Sequence, residues 1–128
     1  MKRYQCIPAG DYLALVNAIA VTPTQFVAQA ISTEGAWDAS ITFYVKGALA
    51  ACAENITFVF QSYDAIHKTW DTAPWLTKVI AMTGVAAIQE TIVLVCGIEA
   101  VRLYSIQNAA AGGTGRDAIV NASIFVHF

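Results

Sequence analysis

The stretch Thr91-Ile-Val-Leu-Val-Cys-Gly-Ile-Glu-Ala-Val-Arg-Leu-Tyr-Ser-Ile-Gln-Asn108 decides the fold class. β-Branched and aromatic residues dominate it, and these suit a pleated, half-buried surface. Gly97 interrupts the run at a point where a backbone with φ > 0 carries no steric penalty. The simplest reading is two strands, 91–96 and 100–107, joined by a tight turn at Gly97-Ile98-Glu99. Both faces of the second strand carry apolar residues: Val101 and Leu103 on one, Tyr104 and Ile106 on the other. A sandwich strand needs only one face inside, so the second face calls for a cover.

Outward from that pair, the clearest alternation lies at residues 41–46. Ile41, Phe43 and Val45 fall on one face, and Thr42, Tyr44 and Lys46 on the other. Residues 56–61 repeat the pattern, with Ile56, Phe58 and Phe60 inward. Period two of this kind marks half-buried antiparallel strands. Residues 76–82 read as another strand. So does 118–128, with Ala118, Val120, Ala122, Ile124, Val126 and Phe128 on one face. Residues 25–31 alternate in part and are assigned to a strand, whereas 12–21 fit a helix capped by Asp11 or a buried strand equally well. Pro23 ends that element in either case. Residues 33–39, with Gly35, form a loop. The alanine-rich 47–54 suit a wide loop or helical turn, and 64–75 a long polar connection. The glycines among residues 109–115 mark a turn. The expected fold is all-β: an antiparallel two-sheet sandwich, jelly-roll or immunoglobulin-like. Residues 1–24 are expected to be an N-terminal arm or first element, and 25–128 the sandwich.

Composition narrows the function classes. The 128 residues make one domain. They are 57% hydrophobic and only 12% charged, against roughly 25% charged in ordinary soluble domains. That sparse charge predicts that part of the exterior is covered by other subunits. A net charge of −2 gives no basic footprint for nucleic acid. The longest uncharged run, 12–33, is broken by Asn17, Pro23, Gln25 and Gln29, which argues against a spanning helix. Pro8, Gly10 and Asp11 follow the basic start too closely for a secretory signal, so cytosolic synthesis is expected.

Candidate functional residues are few. Cys6, Cys52 and Cys96 are odd in number and lack metal-ligand or CxxC spacing. Cys52 and Cys96 read as small core residues, and Cys6, in the arm, as the thiol open to reaction. All three are expected to be free. His67 with Asp64 and Asp71 matches no ligand motif and reads as part of a solvated loop. His127 reads as exposed. Trp70 and Trp75 flank Asp71-Thr72-Ala73-Pro74, where two aromatics can cover the core, anchor a partner or stack on a sugar. Trp37 is a further core or interface candidate. Gly112, Gly113 and Gly115 lack the lysine and following helix of a phosphate loop. The sequons at Asn55 and Asn121 lie at or within expected strands. No cofactor or metal site is expected.

One order of motifs carries a resemblance. An alternating strand is followed by the Trp70–Pro74 loop, an apolar pair of strands and the Arg102-Leu-Tyr-Ser-Ile-Gln-Asn108 strand. A glycine-rich turn and a C-terminal strand complete it. Over roughly residues 40–128 this resembles the small β-sandwich capsid decoration (cement) proteins of tailed bacteriophages. The resemblance implies a non-enzymatic virion protein on the capsid surface, made in the host cytoplasm. Its implied partners are copies of itself, with a trimer favoured, and a major capsid protein, with no nucleic acid or membrane. Trp37, Trp70, Trp75, Arg102 and Tyr104 are the candidate interface residues. The competing reading is a carbohydrate- or receptor-binding sandwich that uses Trp70 and Trp75. A jelly-roll enzyme would need facing clusters of His and carboxylates, and the chain has two histidines.

Overall fold

The computed structural model describes residues 2–7, 13–15, 24–25, 30–95, 99–108 and 116–128. These form two antiparallel sheets, and no described residue is helical. The strands are β1 (Lys2–Gln5), β2 (Leu13–Leu15), β3 (Thr24–Gln25), β4 (Ile31–Ser32), β5 (Asp38–Gly47) and β6 (Asn55–Asp64). They continue with β7 (Thr69–Trp70), β8 (Leu76–Ala81), β9 (Ile88–Val95), β10 (Ala100–Asn108) and β11 (Ala118–His127).

One sheet has the order β1-β11-β5-β9, with β2 sharing the β1 edge of β11. The other runs β3-β10-β6-β7, with β4 also on β10 and β8 also on β6. From β5 onward the chain stays within a sheet only at the β6–β7–β8 reversal; every other step changes sheets. That alternation is the two-Greek-key order of a jelly roll, and it decides between the two expected sandwich types.

The core follows the period-two faces. Ile41, Phe43 and Val45 from β5, Ile56, Phe58 and Phe60 from β6, and Val120, Ala122, Ile124 and Val126 from β11 are all fully buried. Phe43 joins the layers, its ring centroid 4.9 Å from Phe58 and 6.1 Å from Phe60. Each such ring contributes about 1.5–3 kcal/mol by leaving water. Phe128 lies beyond β11 and is exposed, so the inward face ends at Val126, two residues earlier than the alternation suggested.

The expected hairpin at 91–107 does not form. β9 pairs with β5 over Asp38–Val45, and β10 pairs with β6 over 56–62, so the neighbouring strands lie in opposite sheets. Four extended residues reach about 13 Å, more than the roughly 10 Å between packed sheets. The short link therefore permits a crossing as readily as a turn. Gly97 and Ile98 lie outside the described residues.

The second correction concerns the faces of β10. Leu103 opposes Phe60, Ser105 opposes Val59 and Ile106 opposes Phe58, so Tyr104 is an extra residue in a β-bulge. The bulge shifts the alternation by one. Val101, Leu103 and Ile106 all enter the core, at 0%, 2% and 0% exposure, while Arg102 and Tyr104 stay half-buried on the outside. The apolar second face inferred from strict alternation is therefore absent.

The described part of the N-terminal segment is tied into both sheets. β1 pairs with residues 123–126 of β11, and the Cys6 amide extends that ladder to the Ala122 carbonyl. Cys6 is 2% exposed rather than available. Burial pushes its thiol up to about 12, against a weaker opposing hydrogen bond with the Ile124 backbone, so no thiolate forms near neutrality. Cys52 packs in the core as expected, and Cys96 lies outside the described residues. Residues 13–15 are strand, which answers the helix-or-strand question for that part of 12–21. Of the strand expected at 25–31, residues 26–29 lie outside the described set. β3 and β4 flank them.

Two polar devices close the open margins. At the edge where β8 and β9 face each other, Lys78 opposes buried Phe58 and Glu90 opposes buried Phe43, so both charges point inward. They meet at 3.5 Å across the gap between the sheets. Inward-pointing charges of this kind discourage pairing of edge strands with other chains. At one end of the sandwich, Arg116 donates to Glu54 Oε1 at 2.7 Å and to the Ala51 carbonyl at 3.1 Å. The Glu54 carbonyl also accepts from the Met82 amide, which ties three connections together. Burial raises the Glu54 carboxyl, but the Ala53 amide and Arg116 outweigh it and hold the group below the ordinary glutamate value. Gly47 is required nearby, because a Cβ there would collide with the Gly84 carbonyl oxygen and stand 2.7 Å from Cys52 Cβ.

Candidate functional site

The strand order β7-β6-β10 places Trp70, Tyr63, Gln61, Arg102 and Tyr104 in a band across the solvent side of the six-stranded sheet. Trp70 arrives there because residues 65–68 reverse the chain. Asp64 stabilises the reversal, its Oδ1 accepting from the amides of Ile66 at 2.9 Å and His67 at 3.2 Å. Lys68 takes the left-handed conformation, φ 55°, that closes it. β7 can then pair with the end of β6, Tyr63 opposite Trp70. Residues 64–75 are thus a short hairpin followed by a loop. The sequence signal was the Asp at the turn's first position, with Lys where glycine is usual.

Arg102 is the centre of the band. Its Nε and Nη2 both donate to Gln61 Oε1, at 2.9 and 2.7 Å. The guanidinium lies 4.4 Å over the Trp70 ring and 5.7 Å from the Tyr104 ring centroid. Trp70 in turn meets Tyr63 edge-on, with centroids 5.2 Å apart. The cluster covers Gln61, which is only 8% exposed although it lies on the outer face. Cation–π contacts contribute on the order of 0.5–1 kcal/mol each at exposed sites, and among the described residues these rings and Gln61 hold the arginine without an ion pair. Period-two alternation already puts Tyr104 on the face of Arg102; what the bulge adds is that Ile106 turns into the core instead of following them outward.

The other sequence candidates lie elsewhere. Trp75 immediately precedes β8 and is half-buried against the core, its amide donating to the Phe60 carbonyl at 2.8 Å. Trp70 and Trp75 therefore do not form one two-ring platform. Trp37 is 81% exposed just before β5, a strand of the opposite sheet. His67 pairs with Asp64, Nδ1 to Oδ2 at 2.6 Å, whereas Asp71 accepts from the Ser62 hydroxyl at 2.9 Å. The hydrogen bond to Asp64 raises the His67 pKa, and its counterpart lowers that of Asp64. Asp64, Asp71 and Glu99 border a shallow depression of about 300 Å³ beside Tyr63. No group of three or more His, Cys, Asp or Glu among the described residues is arranged to hold a metal. His127, half exposed, pairs across the strands with Asp38 at 2.5 Å. The glycine run at 112–115 lies outside the described residues.

No family model matches the chain, and no curated protein matches it. Similar solved structures exist. One, described as "CBM4 structure and function", aligns over 77% of this chain with a TM-score of 0.50 and 14% identity. The chain spans 59% of that structure's length. The K3 cleaved adhesin domain of Lys-gingipain from Porphyromonas gingivalis w83 aligns over 98% of this chain and 71% of its own, with TM-score 0.43 and 16% identity. The SPBc2 prophage-derived protein YomS aligns over 91% of this chain and 93% of its own, with TM-score 0.37 and 13% identity. The likeness to the CBM4 structure is one of fold, and it agrees with the all-β sandwich.

Proposed function

We propose that the chain is a non-enzymatic structural protein of a virion. It associates with copies of itself and docks onto an assembled shell through the face around Arg102. One observation carries this reading: a guanidinium held 4.4 Å over Trp70 and fixed by two hydrogen bonds to Gln61. Trp, Tyr and Arg dominate the binding energy of protein interfaces, and side chains already fixed lose little rotamer freedom on docking. Arg102 occupies a face of Trp70, and Trp75 packs on the core, so a protein partner suits the band better than sugar rings. The 12% charge content and the exposure of Trp37, Ile66 and Val93 support burial against further subunits. In this role the protein needs no cofactor. Its partners are its own copies, as a trimer if the resemblance to decoration proteins holds, and a major capsid protein. It is made in the host cytoplasm and resides on the capsid surface.

Light scattering on the purified chain and co-sedimentation with shells lacking it test the proposal together. A trimer that saturates shells at a fixed ratio to the capsid protein is the expected result. A soluble 13.7 kDa monomer with no affinity for shells would overturn it. The second reading, a carbohydrate-binding module, draws on the fold likeness to the CBM4 structure and on the half-buried Trp70 ring at the surface. A glycan array separates the two.

A further inference from the structure

We infer that the group received by the Arg102 face is a side-chain carboxylate of a partner protein other than this chain; the inference rests on the docking reading above. A guanidinium carries five N–H donors. Gln61 Oε1 takes one from Nε and one from Nη2. Both Nη1 donors and the second Nη2 donor remain, and together they present the fork that a carboxylate accepts with two parallel hydrogen bonds. Arg116 has Glu54 and Lys78 has Glu90, but Arg102 meets no carboxylate among the described residues. Its surroundings are neutral: Gln61, Tyr63, Trp70 and Tyr104. A lone cation on a neutral band does not suit a polyanion, which needs clustered basic residues. A neutral sugar would cover the guanidinium without neutralising it. A single carboxylate neutralises it, with the aromatic rings shielding the pair from water. Most of the chain's own carboxylates are already engaged: of nine, Asp38, Glu54, Asp64, Asp71, Glu90 and Asp117 hold interactions within the fold, which leaves few acceptors of its own for this site.

The test is a nuclear magnetic resonance titration of the full-length protein with two blocked tripeptides, acetyl-Gly-Asp-Gly-amide and its Asn isostere. The Asp peptide is expected to shift the Arg102 Nε–H and Trp70 indole resonances with at least fivefold higher affinity than the Asn peptide. That preference should vanish in 0.5 M NaCl and in Arg102→Gln, and fall by about half or more in Arg102→Lys, which keeps the charge but not the fork. Circular dichroism confirms that both variants fold. Equal response to the two peptides, persistence of the preference in Arg102→Gln, or a preference for methyl glucoside overturns the inference. The docking reading fails separately. If Arg102→Gln co-sediments with shells as well as the wild type, only the carboxylate inference falls. If the wild type does not bind shells, the docking reading falls.

Discussion

Deleting Tyr104 tests the bulge on which the outer face depends. Tyr104 and Ser105 together oppose Val59, whereas Leu103 opposes Phe60 and Ile106 opposes Phe58. Removing the extra residue should leave both flanking registers intact and yield a regular ladder, with Ser105 outward and Ile106 still in the core. The loss is then the Tyr104 contact with Arg102, at 5.7 Å, plus local adjustment, within about 2 kcal/mol in total. If the ladder were regular, the deletion would rotate every later residue. Fully buried Ile106 would turn outward, at about 2–5 kcal/mol, and the Gln107 amide would turn inward, at about 1–3 kcal/mol. That sum rivals the whole stability of a small domain, about 5–15 kcal/mol. Urea denaturation followed by far-ultraviolet circular dichroism decides between them. A cooperative transition with unchanged slope and a modest shift in midpoint is expected. A drop beyond about 3 kcal/mol, or loss of cooperativity, would refute the bulge.

Three other outcomes are expected. The His67 resonance should titrate above the ordinary 6.5, and Asp64→Asn should bring it back. The raised His67 value stabilises the turn below 6.5 and that contribution disappears as pH climbs through the folded pKa. The lowered Asp64 value stabilises it above 3.8 and is lost as pH falls through its own, so turn protection by hydrogen exchange should peak between about 4 and 6.5. Glu54→Gln should cost about 1–2 kcal/mol in urea, and the wild type should lose this contribution only as pH drops below the ordinary glutamate value of 4.5. Alkylation without reductant should spare Cys6 and Cys52 in the native protein, and three adducts should form once the chain is denatured; a mass showing one adduct would reveal a disulfide.

The inward faces of β5, β6 and β11 were legible because each alternates without interruption around buried phenylalanine, isoleucine or valine. The choice of partner was not. Residues 91–107 carry two strands next to each other in sequence, and local pattern favours pairing neighbours. In the fold, β5 gives β9 an eight-pair ladder, and β6 gives β10 a nearly full-length one, which no short-range signal encodes. The bulge was equally hidden, since Tyr104 differs from an ordinary outward residue only in what opposes it. Within the candidate site, Trp70, Arg102 and Tyr104 were singled out by residue type, and strand order is what gathers them. Gln61 fell inside the strand expected at 56–61 without being singled out, yet it holds the guanidinium in place. Trp37 and Trp75 share the type but not the location.

The sparse charge of this chain has a structural counterpart. Lys78 and Glu90 close the seam between the sheet edges, and Arg116 and Glu54 fasten three connections at one end. His67 with Asp64 fixes the reversal that delivers Trp70, and His127 with Asp38 ties the end of β11 to the start of β5. Each pair joins elements that apolar packing alone would leave free to slip, and all four stand at margins rather than on the sheet faces. Arg102 departs from this distribution. It sits in mid-sheet on aromatic rings, and its contacts within the described fold are Gln61, Trp70 and Tyr104. Folding accounts for the paired charges. The proposed docking is what would account for a cation placed on a neutral face, oriented and left with donors to spare.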